Sequence, residues 1–191
     1  MHRSSILAIL DTYEGIYPVE SDMVQRIRSL VQAHSDCFER TCLPGHITGS
    51  AWIVSPDRKR YLLTHHRKLN RWLQTGGHAD GESTPHNVAL REAREESGMD
   101  NFRIVEPKGH RIPLDVDVHD IPARKSEPKH EHHDLRYLLV AAVGQEITVS
   151  NESHDVRWFT AEDLLTMIQE PGILRMLRKS EELLSREFEL L

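Results

Sequence analysis

The sequence is poor in several features, and each shortage narrows its class. No apolar run approaches the roughly 18–20 residues that a membrane span requires. Near the start, the apolar stretch 6–10 breaks at Asp11, too soon for the hydrophobic core of a secretory signal. Cysteine is scarce: Cys37 and Cys42 are the whole complement. Two cysteines make no disulfide framework, and Cys42 has no neighbouring base in sequence to mark it as a nucleophile. The 10 Gly and 9 Pro are scattered over 191 residues, which excludes collagen-like and low-complexity chains. Positive charge is also short. Lys and Arg number 24 against 30 Asp and Glu, a formal net charge of −6, and non-specific nucleic-acid binding draws mainly on basic residues that neutralise phosphates. The expectation is a soluble cytoplasmic protein with one domain of ordinary size and neither nucleic acid nor membrane as partner.

The pattern that is present begins as helix. Ile6, Leu7 and Leu10 form one short apolar stripe, and Val24, Ile27, Leu30 and Val31 form a second at three- and four-residue spacing. Gly15 and Pro18 separate the two. Residues 1–43 therefore read as a helical N-terminal extension, which could cover a pocket or form a homodimer contact. The texture then turns strand-like at 47–55 and 61–64, with Ser55-Pro56-Asp57-Arg58 as the turn between them. A brief strand at 71–74 runs into a glycine-rich loop at 75–81. A helix is expected over 85–97, strands at 102–106, 112–119, 134–143 and 156–159, and helices at 161–169, capped by Thr160, and 173–184. Strands on both sides of an early helix, with helices at the end, imply an α/β or α+β layered sheet.

The helix at 85–97 carries the functional argument. Thr84 is placed to cap it, Pro85 occupies its first position, and Gly98 follows as a stop. At about 100° per residue, Ala89, Leu90, Ala93 and Ser97 share one face, while Glu92, Glu95 and Glu96 form a separate stripe. Like charges three and four residues apart oppose a bare helix by roughly 0.2–0.5 kcal/mol per pair, and Arg91 and Arg94 offset part of this. A hard divalent cation reverses the balance, because Mg²⁺ takes carboxylate and phosphate oxygens together.

At these residues the sequence resembles the Nudix hydrolase family. Its signature runs Gly, five residues, Glu, seven residues, Arg-Glu, an aliphatic, any residue, Glu-Glu, any residue, Gly, an aliphatic. Gly77, Arg91, Glu92, Ala93, Glu95, Glu96, Gly98 and Met99 occupy the expected positions. The first glutamate departs: its place falls on Ser83, and Glu82 sits one residue early. The resemblance extends more loosely over 45–165 and includes the segment 152–159 before a helix. It implies an α/β/α sandwich with a mixed sheet and a loop–helix–loop signature, in a Nudix domain over 44–191 that includes the C-terminal helices. It also implies hydrolysis of a diphosphate linkage in a nucleoside diphosphate derivative with Mg²⁺ or Mn²⁺. By the same resemblance Glu92, Glu95 and Glu96 are metal-binding carboxylates, the Gly77 carbonyl completes the shell, Arg91 orients its neighbours, and Glu152 is an additional acid. Either Glu92 or Glu152 would serve as general base.

Other readings stand beside this one. Arg67, Lys68 and Arg71 precede the glycine loop and His78 lies within it, so all four are candidate phosphate or substrate contacts. Trp52, Trp72 and Tyr137 could stack on a base but are expected in the core. The 13 histidines exceed the average for this length. His130, His132 and Asp134 would share one face of an extended strand, and such a trio can bind Zn²⁺. Without a regular second ligand pair, these histidines are expected at the surface or lining a pocket. Two alternatives to hydrolysis are a Nudix-fold isopentenyl diphosphate isomerase, suggested by Cys42 and the histidine excess, and a non-catalytic ligand sensor. The intact stripe of glutamates favours the hydrolase.

Overall fold

The computed structural model describes residues 2–124, 127–151 and 153–188. Two helices, α1 (His2–Ile16) and α2 (Ser21–Ala33), come first, joined through a 3-10 turn at Pro18–Glu20. The strands are β1 (Gly45–Val54), β2 (Arg60–His66), β3 (Arg71–Leu73), β4 (Thr75–His78), β5 (Phe102–Ile104), β6 (Asp115–Ile121), β7 (His130–Ala141) and β8 (Ser153–Thr160). Helix α3 (Pro85–Ser97) falls between β4 and β5, and α4 (Ala161–Met167) and α5 (Pro171–Phe188) end the described chain. None of the described helices is long and apolar enough to cross a membrane.

All eight strands join one mixed sheet. The path β3–β2–β1–β7–β5 forms its spine, β4 adds to β1, β6 to β7 and β8 to β2. The β1–β7 pair is parallel and the others are antiparallel. Every residue of β1 is buried, as expected for a central strand covered on both faces. Ile47, Ala51 and Ile53 point to one side, where they meet Val88, Ala89 and Ala93 of α3 and the apolar stripes of α1 and α2. Trp52 and Val54 point to the other, against Leu164 of α4 and Ile173, Met176 and Leu177 of α5. Helices thus cover both faces of a mixed sheet, the expected sandwich. Trp52 and Tyr137 lie in the core, and Trp72 packs edge-on against Phe159 with ring centroids 4.8 Å apart.

Several local expectations need correction. The 75–81 segment is not all loop, because residues 75–78 pair with 48–51 of β1. The strand predicted from residue 112 starts at Asp115, and the one predicted from 134 starts at His130. Its polar beginning is flanked on both edges, by β1 and by β6. Thr84 precedes α3 but its side chain makes no cap hydrogen bond. Glu82 acts there instead, accepting from the Thr84 N–H at 2.8 Å. Thr160 does cap α4, in a reciprocal box with Asp163.

A buried ionic network joins the N-terminal helices to the sheet. Arg136 on β7 donates to Asp134 (2.9 Å), Asp115 (3.2 Å) and Asp117 (2.7 Å). Arg175 of α5 reaches Asp115 at 2.6 Å. Lys179, also on α5, contacts Asp115 at 3.3 Å, Glu20 at 2.8 Å and the Tyr13 hydroxyl at 2.8 Å. Burial disfavours the Arg136 cation, yet attraction from its three aspartates raises its pKa overall. Replacing Arg136 with Met leaves those carboxylates buried with less compensation. It is expected to cost about 3–5 kcal/mol of stability, read as a lower midpoint in urea denaturation.

Candidate active site

Helix α3 lies unusually close to β1 at one point. A Cβ on Gly49 would stand 2.7 Å from Val88 Cβ and 2.8 Å from the Pro85 carbonyl oxygen, so glycine is what admits the helix there. Val88, Ala89, Ala93 and Ser97 bury the near side. This confirms the small-residue face read from the sequence, with Leu90 only half-buried. Gly98 ends the helix in the left-handed region, its N–H bonded to the Arg94 carbonyl at 2.9 Å.

The three glutamates occupy different environments along the helix. Glu96 is buried, and its Oε1 accepts the Gly76 N–H at 2.8 Å. Glu92 lies against Gly77: a Cβ at that residue would stand 2.5–2.7 Å from all three atoms of the carboxylate. With glycine at 77 the carboxylate can approach the backbone this closely, whereas a side chain there would push the end of Glu92 aside. Glu95 is exposed. Arg91 bridges helix and glycine strand, donating from Nη2 to the His78 carbonyl (2.6 Å) and to Glu92 Oε1 (2.7 Å). The hydrogen bond with Glu92 is the main reason that the Arg91 pKa rises, against a smaller desolvation effect. Two of the three predicted carboxylates, Arg91, Gly77 and the His78 backbone are therefore brought together at the join of α3 and β4. The oxygen donors and the cradle at Gly77 fit a hard divalent cation.

The remaining candidates fall elsewhere or are otherwise engaged. Arg67, Lys68 and Arg71 belong to the β2–β3 hairpin. Arg67 donates to the Ser153 carbonyl at 3.1 Å, and Arg71 forms an ion pair with Glu170 at 2.7 Å. Glu152 lies outside the described residues. The His78 ring is partly buried, and desolvation, aided by the Arg40 cation, lowers its pKa. Arg40 itself pairs with Asp80 through two contacts of 2.7 and 2.5 Å, which braces the loop after β4. Of the histidines at 130–133, expected at the surface or lining a pocket, His130 and His133 are buried and His132 is half-buried. Asp134 does not join their group but accepts from Thr48 (3.0 Å) and Ser50 (2.8 Å). His46, which no local pattern singles out, lies at the centre of the histidine cluster.

Fold, glycine cradle and acidic stripe together define a Nudix-type domain, and comparison with known proteins agrees. The NUDIX domain model matches residues 46–179, and the chain belongs to that family. A curated relative, a probable DHNTP pyrophosphohydrolase of Lactococcus lactis subsp. cremoris (strain MG1363), is 32% identical over 95 residues. That match covers 49% of this chain and 52% of the relative, so the chain spans about half the length of the curated protein it matches. A solved NUDIX-family hydrolase from Clostridium perfringens is 26% identical with a TM-score of 0.58, covering 72% of this chain and 97% of that one. A C. elegans Ap4A hydrolase complex, 17% identical with a TM-score of 0.56 over 73% of this chain and 97% of its own, shares the fold. The match begins at residue 46, so α1 and α2 precede it although their side chains belong to the same core.

Both cysteines are free and buried. Burial, with Asp36 beside it, pushes the Cys42 thiol up to about 12, and burial pushes Cys37 up to about 11. A pKa raised in this way leaves little thiolate at neutral pH, contrary to what a nucleophile needs. Iodoacetamide at pH 7.5 should label neither cysteine appreciably in the native protein and both rapidly in urea. Fast native labelling of Cys42, followed by peptide mass, would restore it as a catalytic candidate.

Proposed function

We propose that the protein is a pyrophosphohydrolase acting on a diphosphate linkage in a nucleoside diphosphate derivative. In this reading Mg²⁺ or Mn²⁺ is held by Glu92, Glu95, Glu96 and the backbone carbonyl of Gly77. The observation that supports it best is the docking of the acidic stripe on the glycine strand, with the Glu92 carboxylate in the space that any other residue at position 77 would fill. The divalent cation supplies the positive charge that a diphosphate needs when water attacks it. The chain supplies orientation. Arg91 is a positioning residue: its single Nη2 ties Glu92 Oε1 to the His78 carbonyl, fixing the carboxylate relative to the loop. Glu92, held in this way, is assigned as the proton acceptor for the attacking water, with Glu152 as the competing acid.

Substrate contacts are proposed for His78, Arg67, Lys68 and Arg71. Of these, Arg71 already shares its charge with Glu170, so a phosphate would have to compete for it. The relatives named above act, by their descriptions, on DHNTP and on Ap4A, both phosphoanhydrides. This supports the linkage and leaves the organic group open. An isomerase using Cys42 is disfavoured by the burial of that thiol.

The test is a substrate panel of nucleoside triphosphates, dinucleoside polyphosphates, sugar nucleotides and coenzyme diphosphates, with Mg²⁺ and with Mn²⁺, products identified by mass. Glu95 is exposed and carries no packing role, so Glu95→Gln should fold normally and lose roughly 10²-fold or more in kcat. An unchanged rate with normal circular dichroism would remove the metal assignment. Comparing Glu92→Gln with Glu152→Gln locates the base: the acidic limb of the pH–rate profile should disappear in the former and persist in the latter.

A further inference from the structure

Three histidines from two strands converge on the sheet face opposite α3. His46 on β1 and His132 on β7 are aligned partners in the parallel pair, and His130 lies two residues before His132, so all three project to one side. One ligand nitrogen from each lies within 4.8 Å of the other two. His130 Nε2 and His132 Nε2 are 3.3 Å apart. Two nitrogens sharing a tetrahedral ion at about 2.0–2.1 Å stand roughly 3.3–3.4 Å apart, so this pair already has the spacing of one edge of such a site.

The tautomer of His130 is also fixed. Its Nδ1 is 2.9 Å from the Pro128 carbonyl, which can only accept, so Nδ1 carries the hydrogen and Nε2 of the neutral ring presents a lone pair toward His132. A metal-ligating histidine is commonly held through its other nitrogen in this way. His46 adds an independent observation. It is 2% exposed, and among the described residues the Cys42 backbone is the one group close enough to polarise its ring, neither ring nitrogen making a hydrogen bond of good geometry. With the Cys42 carbonyl near one nitrogen, the other nitrogen of His46 is buried with a lone pair that nothing takes, which is unfavourable unless a ligand does. Its ring stacks on His130 with centroids 5.0 Å apart and lies 4.8 Å from that of His132.

We propose that His46, His130 and His132 form a second metal centre, a three-nitrogen site for Zn²⁺ with a fourth position for water or another small ligand. Imidazole donors suit Zn²⁺, whereas the carboxylates of α3 suit Mg²⁺ or Mn²⁺, so the two centres differ in kind. Desolvation lowers the pKa of His46 and of His132, in keeping with rings packed against one another away from water. His78 connects the centres: its ring is 5.0 Å from both His46 and His132, and its carbonyl is the one that Arg91 holds. In this site His46 stands in place of the Asp134 of the sequence trio, which accepts from Thr48 and Ser50 instead. The proposal does not depend on the hydrolase reading.

The untagged chain, stripped with a chelator and re-equilibrated, is titrated with Co²⁺ and followed by visible absorption, then with Zn²⁺ in competition. The expected result is one equivalent of Co²⁺ with the intense ligand-field bands of a tetrahedral site, displaced stoichiometrically by Zn²⁺, and a Zn²⁺-dependent rise in Tm. His132→Gln, at a half-buried residue, should fold and weaken Zn²⁺ at least about tenfold, and Glu92→Gln should leave the spectrum unchanged. Two results would overturn the proposal. One is a wild-type spectrum with only weak octahedral bands, which would leave His132 donating a hydrogen bond to a neutral His130. The other is loss of the tetrahedral bands in Glu92→Gln with retention in His132→Gln, which would place the ion on the acidic helix.

Discussion

The site depends on the pairing of β1 along both of its edges. One edge binds β4, bringing Gly76 and Gly77 alongside Ser50 and Gly49. The other binds β7 in parallel over ten aligned residues, which places His132 beside His46 and Asp134 beside Thr48. Because side chains alternate along a strand, the same ten residues face α3 and the N-terminal helices through Ile47, Gly49, Ala51 and Ile53. Through His46, Thr48 and Ser50 they face the polar cluster. A shift of one residue in either register would exchange these sets. The glycine cradle and the histidine cluster are thus two outcomes of one strand's alignment.

Electrostatics explains why so many charges are tolerated beside that strand. The α3 carboxylates do not share one environment: Glu96 is bound to a backbone N–H, Glu92 to a guanidinium, and Glu95 faces solvent. Each contact reduces the repulsion that three acids on one stripe would otherwise produce. On the far side of the sheet, Arg136, Arg175 and Lys179 compensate Asp115, Asp117, Asp134 and Glu20. Pairs of this kind add little net stability compared with apolar packing but make the loss of any one member costly. Since Glu20 and Tyr13 lie in the N-terminal segment and Lys179 on α5, the network specifies how the helices that precede the family match close against the domain.

What was legible in the sequence was local. Helix α3 could be bounded by Pro85 and Gly98 because helix ends are marked by the residues themselves, and the small inner face and acidic stripe followed from its period. The glycine segment could not be recognised as a strand, because its partner is β1 and not its neighbours in the chain. The start of β7 was hidden for a similar reason: Lys129-His130-Glu131-His132-His133 has the polarity of a surface loop until β1 and β6 enclose it. His46 was missed altogether. It is a single histidine between Gly45 and Ile47, and its meaning arises only from the distant residues opposite it. Thr84 had the right chemistry for a cap, but Glu82, one place early in the signature, binds the backbone there instead.

The most direct measurement of the central claim is the position of bound divalent ions in crystals grown with Mn²⁺ and a non-hydrolysable diphosphate analogue, located by anomalous scattering at the manganese edge. Peaks between the Glu92, Glu95 and Glu96 carboxylates and the Gly77 carbonyl, in contact with the analogue's phosphate oxygens, are the predicted result. Manganese bound elsewhere, with the analogue away from the join of α3 and β4, would contradict it.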